Sequence, residues 1–421
     1  MQRRFLRGLW ILILAGITIG LNRALLARAQ TPEIEISPVE YIFGRQITFL
    51  AKYQSDVAPV EARFYFRRPE EKDKEAIMVP ATLDDQGVLT YEYDFMRFPL
   101  RAFSRVEYRF EVVIDGGETV SSSQEEFPYE DNRFVWQSMQ SGPFRVHWYD
   151  GDAAFGQELL DVAQRGLQQA QGWLLEATLD EPEEMIDIYT YASKEEMRST
   201  LLLGGTNWVA GHADPDMQLI VVSIPPGPEQ STEMERQIPH ELMHTLLYLT
   251  VGSDYNKQPT WLIEGLASIN EIYPNPYYHT ILRQAVDRDG LLSFSDICQN
   301  FPADASGAYL AYAQAASFTR YLFDQYGAEG LETLIENYRL SSKLDCQDGT
   351  AKALGMSLNQ LERGWRQTAL GEKTASTEAS SPWPWVTVLG VVLAVPLIVL
   401  MFSALRRTRK PQSTPNSRRS A

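Results

Sequence analysis

A chain of 421 residues with 44% hydrophobic and 22% charged residues can bury a sizeable core, which excludes wholesale disorder. Its net charge is -17, and its bases bunch at the two ends: Arg3, Arg4, Arg7, Arg23 and Arg28 at one, Arg406, Arg407, Arg409, Lys410, Arg418 and Arg419 at the other. The middle is therefore strongly acidic and repels phosphate backbones, which excludes nucleic acid as a partner.

The first 29 residues read as a signal peptide. Basic Arg3, Arg4 and Arg7 precede an apolar run from Leu9 to Leu21, and Ala27-Arg28-Ala29 fits a small-x-small cleavage site. Residues 30–135 read as an all-β domain. Gln46–Tyr53, Glu61–Phe66, Val88–Phe95, Tyr108–Ile114 and Glu118–Ser123 are short, partly alternating and rich in β-branched or aromatic residues. Polar turns such as Asp115-Gly116-Gly117 separate them, so a small sandwich of the immunoglobulin or fibronectin type is expected, with no chemical constellation in it.

Residues 134–143 read as a seam. Phe144–Trp148 is then expected as a strand, Ala153–Ala177 as a helix, Asp187–Tyr191 as a strand, Lys194–Leu203 as a helix and Gln218–Ser223 as a strand, before mainly helical patterns from Glu233 to Leu370. Early strands and late helices make the fold class α+β, with a second domain over 144–370. Residues 371–382 are small and polar and read as a stalk. Trp383 to Leu405 carries no charge and is long enough for a transmembrane helix at ~1.5 Å per residue, with basic residues following at once. These signals together predict a single-pass location in the cell membrane. The main region would lie outside, and a basic tail, 406–421, in the cytoplasm. Cys298 and Cys346, both in the exported part, are expected to form one disulfide.

The chemistry concentrates at His240-Glu241-Leu242-Met243-His244. On a helix, positions i and i+4 share a face, so both imidazoles can bind one zinc ion, and Glu241 is offset to take a proton from water. Ser231 to Glu235 offer capping and acidic first-turn residues, whereas Pro239 implies either a kink or a later helix start. A catalytic zinc needs a third protein ligand. Leu247 and Thr250 occupy the positions where a metzincin carries Gly and His, so that class fails. Trp261-Leu262-Ile263-Glu264-Gly265-Leu266-Ala267 offers Glu264 at the start of a second helix, with Gly265 and Ala267 small enough to pack it closely against the first.

His-Glu-Leu-Met-His followed by Trp-Leu-Ile-Glu-Gly-Leu-Ala resembles the peptidase MA-like domain, a gluzincin related in plan to thermolysin. The resemblance covers about residues 144–370 and includes Trp208 to Gly211 and Ala311 to Phe318. It implies a zincin-like fold, Zn2+ held by His240, His244 and Glu264, Glu241 as general base, and a metalloendopeptidase or aminopeptidase acting on a peptide or protein substrate. It also implies that Gln218–Ser223 rims the cleft, where an extended substrate adds as a strand. Tyr312, ahead of Tyr309 and His279, is the candidate oxyanion donor. Glu271 reads either as an acceptor for a ligand imidazole or as a surface glutamate, the latter favoured; His212 and His147 read as structural. The competing readings are a non-proteolytic zinc hydrolase, and a surface binding or scaffold protein with a zinc site and little or no proteolytic activity. The intact Glu241 argues against the second of these.

Overall fold

A computed structural model of the chain describes residues 31–68, 74–174, 185–201, 211–341 and 346–372. The chain divides into two compact units, Met1–Asn359 and Gln360–Ala421.

The N-terminal region is all β. Its strands are β1 (Glu33–Ile36), β2 (Glu40–Ile42), β3 (Gln46–Gln54), β4 (Pro59–Arg67), β5 (Ile77–Pro80), β6 (Thr82–Leu83), β7 (Val88–Glu92), β8 (Arg105–Ile114), β9 (Thr119–Ser121) and β10 (Glu125–Pro128). They form two sheets, one in the order β1-β3-β7-β6 with β2 on β3, the other β10-β8-β4-β5 with β9 on β8. Burial alternates strictly along β3 and β8, because successive side chains point to opposite faces. The inward set meets in one aromatic core: Phe49 lies 4.8 Å from Phe64, and Phe64 stacks on Tyr91 at 4.5 Å.

The expected seam is in part a strand, β11 (Gln137–Ser141). It pairs antiparallel with β12 (Phe144–Trp148) and opens a second kind of sheet, ordered β11-β12-β13-β15-β14. Here β13 is Ile186–Tyr191, β14 is Gly211–Asp214 and β15 is Leu219–Ser223. The strands β12, β13 and β15 run parallel, and β14 is an antiparallel edge. The expected rim strand is therefore interior, paired on both sides, and the edge of the sheet is β14. Four short residues with no β-branched side chain concealed that strand from propensity.

Helices α1 (Ala153–Trp173), α2 (Lys194–Thr200), α3 (Gln230–Val251), α4 (Thr260–Ile269), α5 (Tyr278–Asp287), α6 (Ala305–Arg339, broken at Gly327) and α7 (Cys346–Leu354) complete this unit. Cys298 and Cys346 form a disulfide with Cα atoms 6.3 Å apart. The last helix, α8 (Leu358–Thr368), lies mostly in the second unit and carries a Glu362–Arg366 ion pair of 2.8 Å one turn apart.

The single-pass membrane location is corrected. Among the described residues no helix is long and apolar enough to cross a membrane. The longest, α6, is broken at Gly327 and carries Arg320, Asp324, Glu329 and Glu332. The expected signal peptide (1–29), transmembrane helix (383–405), basic tail (406–421) and all but the first two residues of the stalk lie outside the described residues.

Candidate metal centre

Pro239 neither ends nor delays α3, which runs through it from Gln230. Proline has no N–H to donate to the carbonyl four residues back. The freed Glu235 carbonyl instead accepts from the backbone of Ile272, at 2.9 Å, and of Tyr273, at 3.3 Å. Asn270 Nδ2 donates to the Pro239 carbonyl at 2.8 Å, so the segment leaving α4 is fastened onto α3 at the proline. Ser231 does not cap α3: its hydroxyl, like Gln230 Nε2, donates to Glu158 of α1.

That geometry presents His240 and His244 on one face of α3, with ring centroids 5.2 Å apart, while Leu242, Met243, Leu246 and Leu247 fill the core. Gly252, at φ 60°, ends the helix, and a 3-10 turn (Gly252–Lys257) reverses the chain. Pro259 then leads into α4, which carries Glu264 to the histidines. Gly265 faces α6 rather than α3: a Cβ there would sit 2.7 Å from the Ala315 carbonyl oxygen. The close approach that Gly265 permits is thus between α4 and α6.

One ligand atom each from His240, His244 and Glu264 lies within 4.8 Å of the others. Nε2 of His240 is 3.5 Å and Nε2 of His244 is 3.8 Å from Glu264 Oε2. Both separations are long for hydrogen bonds, and that buried Oε2 has no hydrogen-bond partner. Two donors on a tetrahedral zinc, each at ~2.0–2.2 Å, stand roughly 3.4 Å apart, so the donor set fits that ion. The far side of each imidazole is held as well. Nδ1 of His240 is 3.1 Å from Glu271 Oε1, and Nδ1 of His244 is 3.0 Å from the Tyr255 hydroxyl. Both bonds leave Nε2 free as the ligand atom. Glu271 is 4% exposed and is therefore a buried acceptor, not a surface glutamate.

Electrostatics follow from burial and from the carboxylates. Burial acts to lower the His240 imidazole, but the carboxylates of Glu264 and Glu271 beside it prevail and hold it well above its usual value. His244 is lowered by burial. Burial pushes Glu264 up, yet His244, His240 and a hydrogen bond from Tyr312 hold it below the usual carboxylate range. Burial, with Glu264 and Glu241, keeps the Tyr312 hydroxyl protonated.

Glu241 is buried and lies under the edge strand. A Cβ on Gly211 would fall 2.5 Å from Glu241 Oε1, so the glycine makes room for this carboxylate. Tyr312 is at the site, bonded to Glu264 and 6.3 Å in ring centroid from His240. Tyr309 is 42% exposed and lines a hollow of about 390 Å³ with Arg236, Tyr277 and Ile281. His279 is exposed and faces Arg283 at 3.1 Å, away from the cluster. His147 is bound to Asp187 at 2.7 Å and stacked on Tyr189. His212 sits on β14, 3.5 Å from Asp214. Of the other motif residues, 208–210 lie outside the described residues.

A larger cavity, about 510 Å³, lies between the N-terminal β region and the second sheet. Several of its charges pair with one another, as in Arg145–Asp187, Arg105–Glu126 and Arg67–Glu107, and among the described residues it holds no metal-ligating group of three.

A family model described as Peptidase MA superfamily matches residues 166–371. The match supports a peptidase MA-like family for this part of the chain and suggests a metallopeptidase-like function. No curated protein sequence matches the chain. Among solved structures, wild-type OgpA from Akkermansia muciniphila is 18% identical over 24% of this chain and 28% of its own, with a TM-score of 0.20. A polysaccharide deacetylase from Bacillus cereus is 10% identical over 43% of this chain and 58% of its own, also at 0.20. The chain thus spans less than two thirds of either, and likenesses this low carry no argument about the fold.

Proposed function

We propose that the chain is a zinc-dependent peptidase in which His240, His244 and Glu264 hold the ion and Glu241 is the general base. The observation that carries the reading is the buried, partnerless Oε2 of Glu264 facing two imidazole Nε2 atoms, with Glu241 one residue from the first ligand. Bound there, zinc supplies Lewis acidity, polarising the scissile carbonyl and bringing the pKa of water toward ~7.

The protein's own groups do the rest. Glu241 takes the proton from the attacking water and returns it to the leaving amine. Glu271 and Tyr255 hold the two imidazoles in the tautomer that leaves Nε2 unprotonated. Tyr312, protonated and beside Glu264, donates a hydrogen bond to the developing oxyanion. The substrate is a peptide that adds, as an extended strand, to the side of β14 that is unpaired among the described residues, its backbone running past Gly211 and Glu241.

The test is cleavage of a broad peptide library with and without chelator, by the full chain and by Glu241→Gln. The amide keeps the shape of the side chain and cannot take a proton. Chelator-sensitive cleavage lost in the variant supports the reading; cleavage equal in both contradicts it.

A further inference from the structure

The edge strand poses a mechanical problem. To accept a substrate strand, β14 must keep one side open, so it is paired only with β15 among the described residues. At one end Gly211 rests on Glu241. At the other, Asp214 runs into a 3-10 turn, Pro215–Met217, which exits through Gln218 in the left-handed conformation at φ 51°. A four-residue strand paired on one side among the described residues has few backbone bonds to fix its register.

The far end is gripped from outside the sheet. Arg101, from the N-terminal β region, forks onto Asp216, with Nη1–Oδ1 at 2.9 Å and Nη2–Oδ2 at 2.7 Å. Its Nη1 also reaches Asp214 Oδ1 at 3.3 Å. Asp214 in turn faces His212 on the same face of β14. Next to this grip, the Ser104 hydroxyl meets the Met217 sulfur at 4.0 Å, and Phe103 stacks on Tyr189 at 3.9 Å. A planar guanidinium spanning two carboxylates fixes direction as well as distance.

We propose that Arg101 is a positioning residue for the cleft: it pins the Asp214 end of β14, so that the strand keeps its place beside Glu241 when a peptide adds to it. This rests on the peptidase reading and gives the N-terminal β region a part in substrate binding. The ion pairs are about one-third exposed at Arg101 and Asp216, and pairs that wet contribute little to global stability. Their effect is local.

The experiment compares full-length wild type with Arg101→Ala and Arg101→Lys in two measurements. The first is amide hydrogen exchange by mass spectrometry over residues 211–219. Arg101→Ala should speed exchange there on the order of tenfold while α3, α4 and the thermal midpoint hold. Arg101→Lys, which can grip one carboxylate at a time, should fall between. The second is affinity for a tripeptide hydroxamate, which should weaken on the order of tenfold in Arg101→Ala with zinc content unchanged. Unchanged exchange over 211–219 overturns the proposal. So does faster exchange spread over the whole unit with a lowered midpoint, which would make Arg101 an ordinary stabilising contact. A wild type that binds no hydroxamate contradicts the peptidase reading instead and leaves the exchange result standing.

Discussion

Gly211 lies against Glu241 so closely that one added methyl group would fall 2.5 Å from the carboxylate Oε1 and 3.0 Å from Cδ. The edge strand and the proposed general base are thus in contact, and only glycine leaves the carboxylate where it is. Gly211→Ala should push Glu241 aside. Overpacking of this kind costs about 1–3 kcal/mol of stability. A displaced base should lower kcat/KM on the order of 10²-fold. Peptide cleavage and metal content measured on the same preparation check this: the rate should fall and the zinc should stay.

Glu271 is the second group whose loss should be specific. It holds Nδ1 of His240 and is almost wholly buried. Glu271→Gln should weaken zinc binding by ~10–100-fold, the usual effect of removing such a partner. A competition titration with a zinc chelator measures it. A variant with wild-type affinity would mean that the bond does not orient the ligand.

The pairing of His240 and His244 was legible in the sequence because helical spacing is local: a separation of four positions puts both on one face, whatever the rest of the chain does. Glu264 was legible for a similar reason, since a short turn between two helices brings the second back on the first. Tyr255 was not. It sits in that turn, and only the path of the 3-10 segment decides that its hydroxyl meets His244. The burial of Glu271 depends on how the chain leaving α4 satisfies the carbonyl that Pro239 frees, a non-local event. Strand order was hidden too: the Leu219–Ser223 pattern marks a buried strand but cannot say which neighbour covers it, and Gly-His-Ala-Asp gives no strand signal at all.

The disulfide should support the metal centre at a distance. The Cys298 carbonyl accepts from the backbone N–H of Thr260, the first residue of α4, at 2.8 Å, and the Cys346 carbonyl accepts from the Tyr338 hydroxyl at 3.0 Å. The bridge closes a separation of 48 residues, and chain entropy alone gives about 4 kcal/mol for a loop of that size. Replacing both cysteines with serine should lower the thermal midpoint by a corresponding amount. Thiol labelling of the native protein should find neither cysteine reactive.

Asp131 should govern acid stability where the β region meets the sheet. Its carboxylate is fully buried yet takes hydrogen bonds from Arg133 at 2.7 Å, Tyr191 at 2.9 Å and Thr200 at 3.1 Å. Burial pushes its pKa up, but Arg133 and Tyr191 prevail and hold it below the usual value. A carboxylate lowered by folding stabilises fully above its unfolded pKa, ~3.9, and that contribution is lost as pH falls through the folded value. The thermal midpoints of wild type and Asp131→Asn should therefore differ most near pH 7 and converge below about pH 4. A gap that does not change with pH would contradict the assignment.

If His240, His244 and Glu264 hold one zinc ion, metal content by mass spectrometry of purified full-length protein will show it. Wild type and Glu241→Gln should each carry one zinc per chain, because the base is not a ligand, and Glu264→Ala should lose most of it. A wild type without zinc, or a Glu264→Ala variant that keeps its full complement, would mean that these three residues are not the ligand set.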